Sequence, residues 1–159
     1  MLLIPVGEKR MEMNFRPLRH TDYLELKRMM HALYIEDPVG QPITDKKISK
    51  TIIELRKKPC KGKIIIFERD GVTIGYSILI FYWSNEYGGD KLHIDELYVK
   101  PEHRGRGAAT SFFKHIAQTY RDKIGGFELE VSPSNTSARK YYQKLGFKKT
   151  RNAHMTRTR

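Results

Sequence analysis

Two adjacent carboxylates, Asp95 and Glu96, interrupt an otherwise apolar run, LHIDELYV (residues 92–99). Charge in the middle of such a run is costly unless it is paired, solvated in a cleft or protonated, and each of these conditions can be put to use in proton transfer. His93 stands close by. The same run leads into YVKPEHRGRGAA (Tyr98 to Ala109), where small residues and two arginines crowd the approach to a helical pattern. A strand that ends in a glycine-rich turn and opens a helix leaves backbone N–H donors that no carbonyl has claimed. With the helix dipole and the charges of Arg104 and Arg106, these donors form an anion site.

The apolar phase of the run slips. Leu92 and Ile94 fall on one face by two-residue alternation, whereas Leu97 and Val99 fall on the other. A β-bulge at Asp95-Glu96 would return all four to one core face, and would leave backbone groups unpaired where the strand bends. On this reading Asp95 shares a face with His93, and Glu96 faces the other way. A strand buried on both faces without a bulge is the competing reading.

The remaining elements follow from periodicity and punctuation. Met11 to Leu18 alternates as a first strand. Thr21 or His20 opens a helix with Leu26, Met29, Met30 and Leu33 on one face, ending by Asp37-Pro38. Thr44 caps a second helix whose face is Ile48, Ile52 and Leu55, closed by Pro59. Lys63 to Glu68 and Val72 to Trp83 form a hairpin across Arg69-Asp70-Gly71, and 84–90 reads as a loop. Lys91 to Val99 is the next strand. A helix carries Phe112, Phe113, Ile116, Ala117 and Tyr120, and Phe127 to Val131 is another strand. A last helix is capped by Ser134 or Asn135 and ended by a left-handed Gly146. Phe147 to Arg159 reads as two short strands. The order is β-α-α-β-β-β-α-β-α-β(β), a mixed α/β (α+β) fold with a mostly antiparallel central sheet. Residues 1–10 read as an N-terminal tail and 11–159 as a single domain.

Composition narrows the function classes without choosing one. The chain has 159 residues and a formal charge of +12, from 30 Lys+Arg against 18 Asp+Glu. That balance points to an anionic ligand, a nucleic acid or an acidic partner. Cys60 is the only cysteine, so neither an internal disulfide nor a cysteine metal cluster can form. The histidines show no metal-binding spacing, and no metal is expected. No membrane span or signal peptide is read in the chain, which places it by default in the cytoplasm.

Arg104-x-x-Gly107-x-Ala109 after a strand, followed by Asn135-x-x-Ala138-x-x-Tyr141-Tyr142-x-x-x-Gly146-Phe147, resembles the GCN5-related N-acetyltransferase (GNAT) family. The resemblance implies acetyl-CoA as acyl donor. Its pyrophosphate would lie on Arg104, Gly105, Arg106, Gly107, Ala108, Ala109 and Thr110. Its pantetheine arm would run along Leu97, Tyr98 and Val99, where the sheet splays between the fourth and fifth strands, and Asn135 would touch the arm. A Cβ at Gly105 or Gly107 would obstruct the phosphate. Ala109 stands where the family often has glycine. Tyr142 matches the tyrosine that protonates the departing sulfur. Asp95 or Glu96 is favoured over His93 as the base, with binding of a cationic substrate as the competing role for the carboxylates.

By family analogy the acceptor is lined by the first helix pair over Tyr34 to Pro42, with Tyr34, Glu36 and Asp37, and by the loop Trp83 to Asp90, with Trp83 and Glu86. These acidic and aromatic residues suit a cationic primary amine such as a polyamine or an aminoglycoside-like compound. A protein lysine or N-terminus is the alternative acceptor. Two other classes remain, a basic nucleic-acid-binding module and a CoA-binding module without catalysis. No nucleic-acid recognition signature accompanies the lysine-rich stretch at 46–63, which reads as a solvated face. Family members commonly form homodimers, but no interface can be read from these residues.

Overall fold

The computed structural model describes residues 12–38 and 40–157. The expected tail at 1–10 and the Met11 start of the first strand lie outside the described residues. The chain divides after Leu129 into two compact units.

The first unit holds one five-stranded sheet in the order β1-β2-β3-β4-β5. Its strands are β1 (Met13–Pro17), β2 (Gly62–Arg69), β3 (Val72–Ser84), β4 (Gly89–Val99) and β5 (Gly126–Leu129). The first four pair antiparallel, and β4 and β5 pair parallel through a helical crossover. Helices α1 (Tyr23–Glu36) and α2 (Asp45–Lys57) precede β2, and α3 (Ala108–Thr119) joins β4 to β5. The Thr44 hydroxyl accepts from Lys47 N–H at 3.3 Å, the cap expected for α2.

Each face of the sheet has its own core. Leu26, Met29 and Met30 of α1 and Ile48, Ile52 and Leu55 of α2 pack with Ile64, Ile66, Tyr76, Ile78 and Tyr98. On the opposite face, Phe112 of α3 meets Phe67 at a ring separation of 4.5 Å and Phe15 at 5.5 Å. At the open end of the first core, Arg16 donates to both carboxylate oxygens of Asp22 (2.7 and 2.9 Å) and to Glu68 (2.7 Å).

The hairpin is longer than the glycines at its tip suggest. Gly89 and Asp90 are strand residues, because Ser84↔Gly89 and Trp83↔Asp90 are in register. The second unit contains α4 (Thr136–Lys144), capped by Asn135, whose side chain accepts from Ala138 N–H at 3.1 Å. Gly146 adopts φ +93° after the helix, as expected for its C-terminal position. The two short strands expected over Phe147 to Arg159 are absent from the described residues of that segment. Residues 148–157 are all exposed, and Met155, at 90% exposure, shows how little apolar surface this basic stretch has to bury in a sheet.

Candidate active site

The slip in apolar phase is a bulge. Across β3 and β4, Ile78 pairs with Glu96 and Leu79 with Ile94, so Asp95 is the extra residue. Ile94 and Leu97 then lie opposite Leu79 and Ser77, and Tyr98 lies opposite Tyr76. Leu92, Ile94, Leu97 and Val99 thus share the α3 face, as the phase argument requires. Pairing between β4 and β5 covers only Lys91–Ile94, and β4 continues through Asp95 to Val99 beyond it.

One expectation about the carboxylates is corrected. The bulge keeps Glu96 on the same face as His93, toward α1 and α2, because the extra residue absorbs the change of side. Glu96 lies opposite Ile78 and accepts from Tyr76 Oη at 2.7 Å and from Tyr34 Oη at 3.0 Å. The Ser77 hydroxyl fixes its backbone, donating to the Glu96 carbonyl at 2.7 Å. Burial raises the Glu96 pKa above the ordinary carboxylate value. The two tyrosine hydrogen bonds oppose that rise, and the charge of Asp95 adds to it. Glu96 is therefore a screened, precisely held carboxyl with an elevated proton affinity.

Asp95 is set differently. Its side chain is 52% exposed and lies 3.8 Å from His93 Nε2. It borders a cavity of about 590 Å³ whose walls include Leu55 of α2 and Ile78 and Ile80 of β3. His93 Nδ1 lies 3.4 Å from Glu128 of β5, which also accepts from Lys91 at 2.7 Å.

The loop after β4 takes the form expected of an anion cradle. It begins with a short 3-10 turn at Pro101–His103, and Gly105 (φ +70°) and Gly107 (φ +78°) are both left-handed. Gly107 immediately precedes α3, and its carbonyl accepts Ser111 N–H at 2.9 Å. A Cβ built on either glycine would meet nothing within 4 Å. The space over the loop is open, and side chains there would fill it. The first backbone donors of α3 have no carbonyl one turn behind them. These features fit a phosphate group of the donor.

Other predicted residues are rearranged. Arg104, assigned to the donor, and Glu36, assigned to the acceptor, bind each other at 2.7 and 3.0 Å. Arg104 also donates through Nε to the Val99 carbonyl at 2.7 Å and lies over the Tyr98 ring at 5.4 Å. It braces the end of α1 against the end of β4. Asp37 is the C-cap of α1. Trp83, 65% exposed, is on β3, and Glu86 is in the hairpin turn. Trp83 is five residues along β3 from the partner of Glu96, a distance of about 17 Å. Tyr34 and Glu96 are brought together, whereas Trp83 and Glu86 stand apart from them. In the second unit, Tyr142 lies in α4 with its ring 5.5 Å from Tyr141 and 5.9 Å from Phe147. Burial pushes its hydroxyl pKa up to about 12.

Sequence reasoning missed Tyr76. A tyrosine that is fully buried in a β-branched strand needs a partner for its hydroxyl, and that need was the available signal.

The acetyltransferase (GNAT) family profile matches residues 26–147. The chain belongs to the acetyltransferase (GNAT) family. Among curated relatives, this GNAT chain is 34% identical over 74 residues to a thialysine N-epsilon-acetyltransferase of Sus scrofa, a match covering 46% of this chain and 43% of that protein. The matched stretch is thus less than half of the relative's length. Among solved structures, a possible acetyltransferase from Clostridium difficile 630 aligns with a TM-score of 0.79 at 21% identity, over 92% of this chain and 97% of that one. An aminoglycoside N-acetyltransferase in complex with CoA aligns with a TM-score of 0.76 at 22% identity, over 99% of both chains. These likenesses establish a shared fold. Among the described residues no helix is long and apolar enough to cross a membrane.

Proposed function

We propose that this GNAT chain moves the acetyl group of acetyl-CoA to the primary amine of a cationic small molecule, with Glu96 as general base. The observation that carries the reading is the bulge. It places a half-buried, doubly hydrogen-bonded carboxyl on β4, in the strand segment just before the glycine loop.

Glu96 takes a proton from the acceptor ammonium, and the freed lone pair attacks the thioester carbon. The C–N bond forms as the C–S bond breaks, and the acylated nitrogen releases its second proton to solvent as the neutral amide is left. Tyr142 supplies the proton to the departing sulfur, and its raised pKa keeps that proton in place at neutral pH. Gly105, Gly107 and the first turn of α3 hold the pyrophosphate through backbone N–H groups. The edge of β4 over Leu97–Val99 offers main-chain partners to the pantetheine arm.

Support for a cationic acceptor comes from the acidic groups on the α2-facing side of β4, Asp95 and Glu96, within a chain of net charge +12. The names of the relatives agree, since thialysine and aminoglycosides are amines that carry positive charge at neutral pH. Thiol release from acetyl-CoA across a panel of polyamines, aminoglycosides, lysine analogues, peptides and neutral amines tests the proposal. Small cationic amines are expected to outperform the others. Peptides or neutral amines as the best acceptors would overturn the cationic small-molecule assignment.

A further inference from the structure

Arg69 ends β2 on the face toward α3, in line with Phe67, and is 7% exposed. Its Nη2 donates to the carbonyl of Arg106 at 2.9 Å. Its Nη1 is buried and has no hydrogen-bond partner among the described residues, and no ion pair among those residues neutralises the guanidinium. A buried, unpaired positive charge is unfavourable unless an anion completes it. The carbonyl it does hold belongs to the residue between the two left-handed glycines of the phosphate loop.

We infer that Arg69 is a positioning residue for the donor, a buried counter-charge that orients the phosphate loop from beneath. The inference rests on the reading of that loop as the pyrophosphate site.

The geometry supplies the mechanism. In a trans peptide the C=O and the following N–H point in opposite directions. With the Arg106 carbonyl drawn onto Arg69, the N–H of Gly107 points away from Arg69. Arg69 thereby selects one of the two orientations available to the Arg106–Gly107 peptide, whose C-terminal side is a glycine. Its charge also acts through protein interior rather than water, so it favours an anion on the loop more than an exposed lysine would.

Calorimetric titration of the full chain with CoA and with pantetheine, which lacks the pyrophosphate, tests the role of Arg69. Arg69→Met is expected to weaken CoA by about tenfold or more, the scale of a charge-assisted hydrogen bond, and to lower the CoA-to-pantetheine affinity ratio by a similar factor. The melting midpoint without ligand should hold or rise, because an uncompensated buried charge has been removed. Arg69→Lys, which keeps the charge but not the fork, should recover part of the ratio. Wild-type CoA affinity in Arg69→Met would overturn the inference, as would equal losses for CoA and pantetheine. Should Arg69→Met fail to fold, Arg69→Lys decides the matter. Several-fold weaker CoA with a reduced ratio supports the inference, and an unchanged ratio overturns it. A wild-type chain with no preference for CoA over pantetheine would instead refute the loop reading.

Discussion

Replacing Glu96 by glutamine preserves volume and shape while removing the group that accepts the proton. The wild-type carboxylate accepts two phenol hydrogen bonds, from Tyr76 at 2.7 Å and Tyr34 at 3.0 Å. Glutamine has one carbonyl oxygen, so one phenol must reorient to accept from the amide, and the fold survives with a local adjustment. The catalytic loss should be that of a positioned base, about 10²- to 10⁴-fold in turnover. Asp95→Asn is the matched control. Asp95 is half exposed and its removal leaves Glu96 and its tyrosines in place, so the effect should stay below about tenfold. Glu96 and Asp95 are adjacent in sequence, and only the bulge separates their environments. The assay is steady-state thiol release with saturating acetyl-CoA, supplemented by a CoA titration to confirm that donor binding is intact. A large loss in Asp95→Asn with near-normal turnover in Glu96→Gln would refute the assignment of the base.

Further expectations follow from the same contacts. The tyrosine hydrogen bonds lower the Glu96 pKa against the rise caused by burial, so Tyr34→Phe should raise it and move the acidic limb of the kcat/KM profile to higher pH. An unmoved limb would show that another group titrates there. Tyr142→Phe should reduce turnover by about 10²-fold or more, and full activity would remove Tyr142 from the mechanism. Arg16→Met leaves two carboxylates unpaired, so it should destabilise the fold by about 3 kcal/mol, a drop of roughly 6–12 °C in the melting midpoint. The Arg16 hydrogen bonds hold the pKa values of Asp22 and Glu68 below their ordinary 3.8 and 4.5. Their contribution is therefore present above those ordinary values and is lost as pH falls through the lowered folded ones. Acid titration of stability in Arg16→Met should show a weaker loss below pH 4.5 than the wild type does.

Local signals carried most of the fold. The apolar faces of α1 and α2, the Thr44 cap and the Gly146 terminus are all written within a few residues of where they act. The bulge was legible for the same reason, since a phase shift between Ile94 and Leu97 needs an extra residue if both are to stay on one core face. The side on which Glu96 would emerge was misread because a simple alternation was carried across the bulge. Pairs distant in sequence could not be read at all. Glu36 and Arg104 are 68 positions apart, and nothing near either residue announces the other. The same holds for Arg69 and Arg106, which meet only because β2 ends beside the start of α3. The two strands expected over Phe147 to Arg159 do not form among the described residues of that segment, where so little apolar surface is available to bury.

The central claim is that the glycine loop after β4 holds the pyrophosphate of an acyl-CoA donor. The most direct test is a calorimetric titration of the wild-type chain and of Gly107→Val with acetyl-CoA. Valine disfavours the left-handed φ of +78° at position 107 and fills the open space above the loop. The wild type should bind one acetyl-CoA with a dissociation constant in the range of about 1 μM to 1 mM typical of enzyme substrates, and Gly107→Val should weaken it by about tenfold or more. Absence of saturable binding in the wild type, or equal affinity in Gly107→Val, would contradict the account.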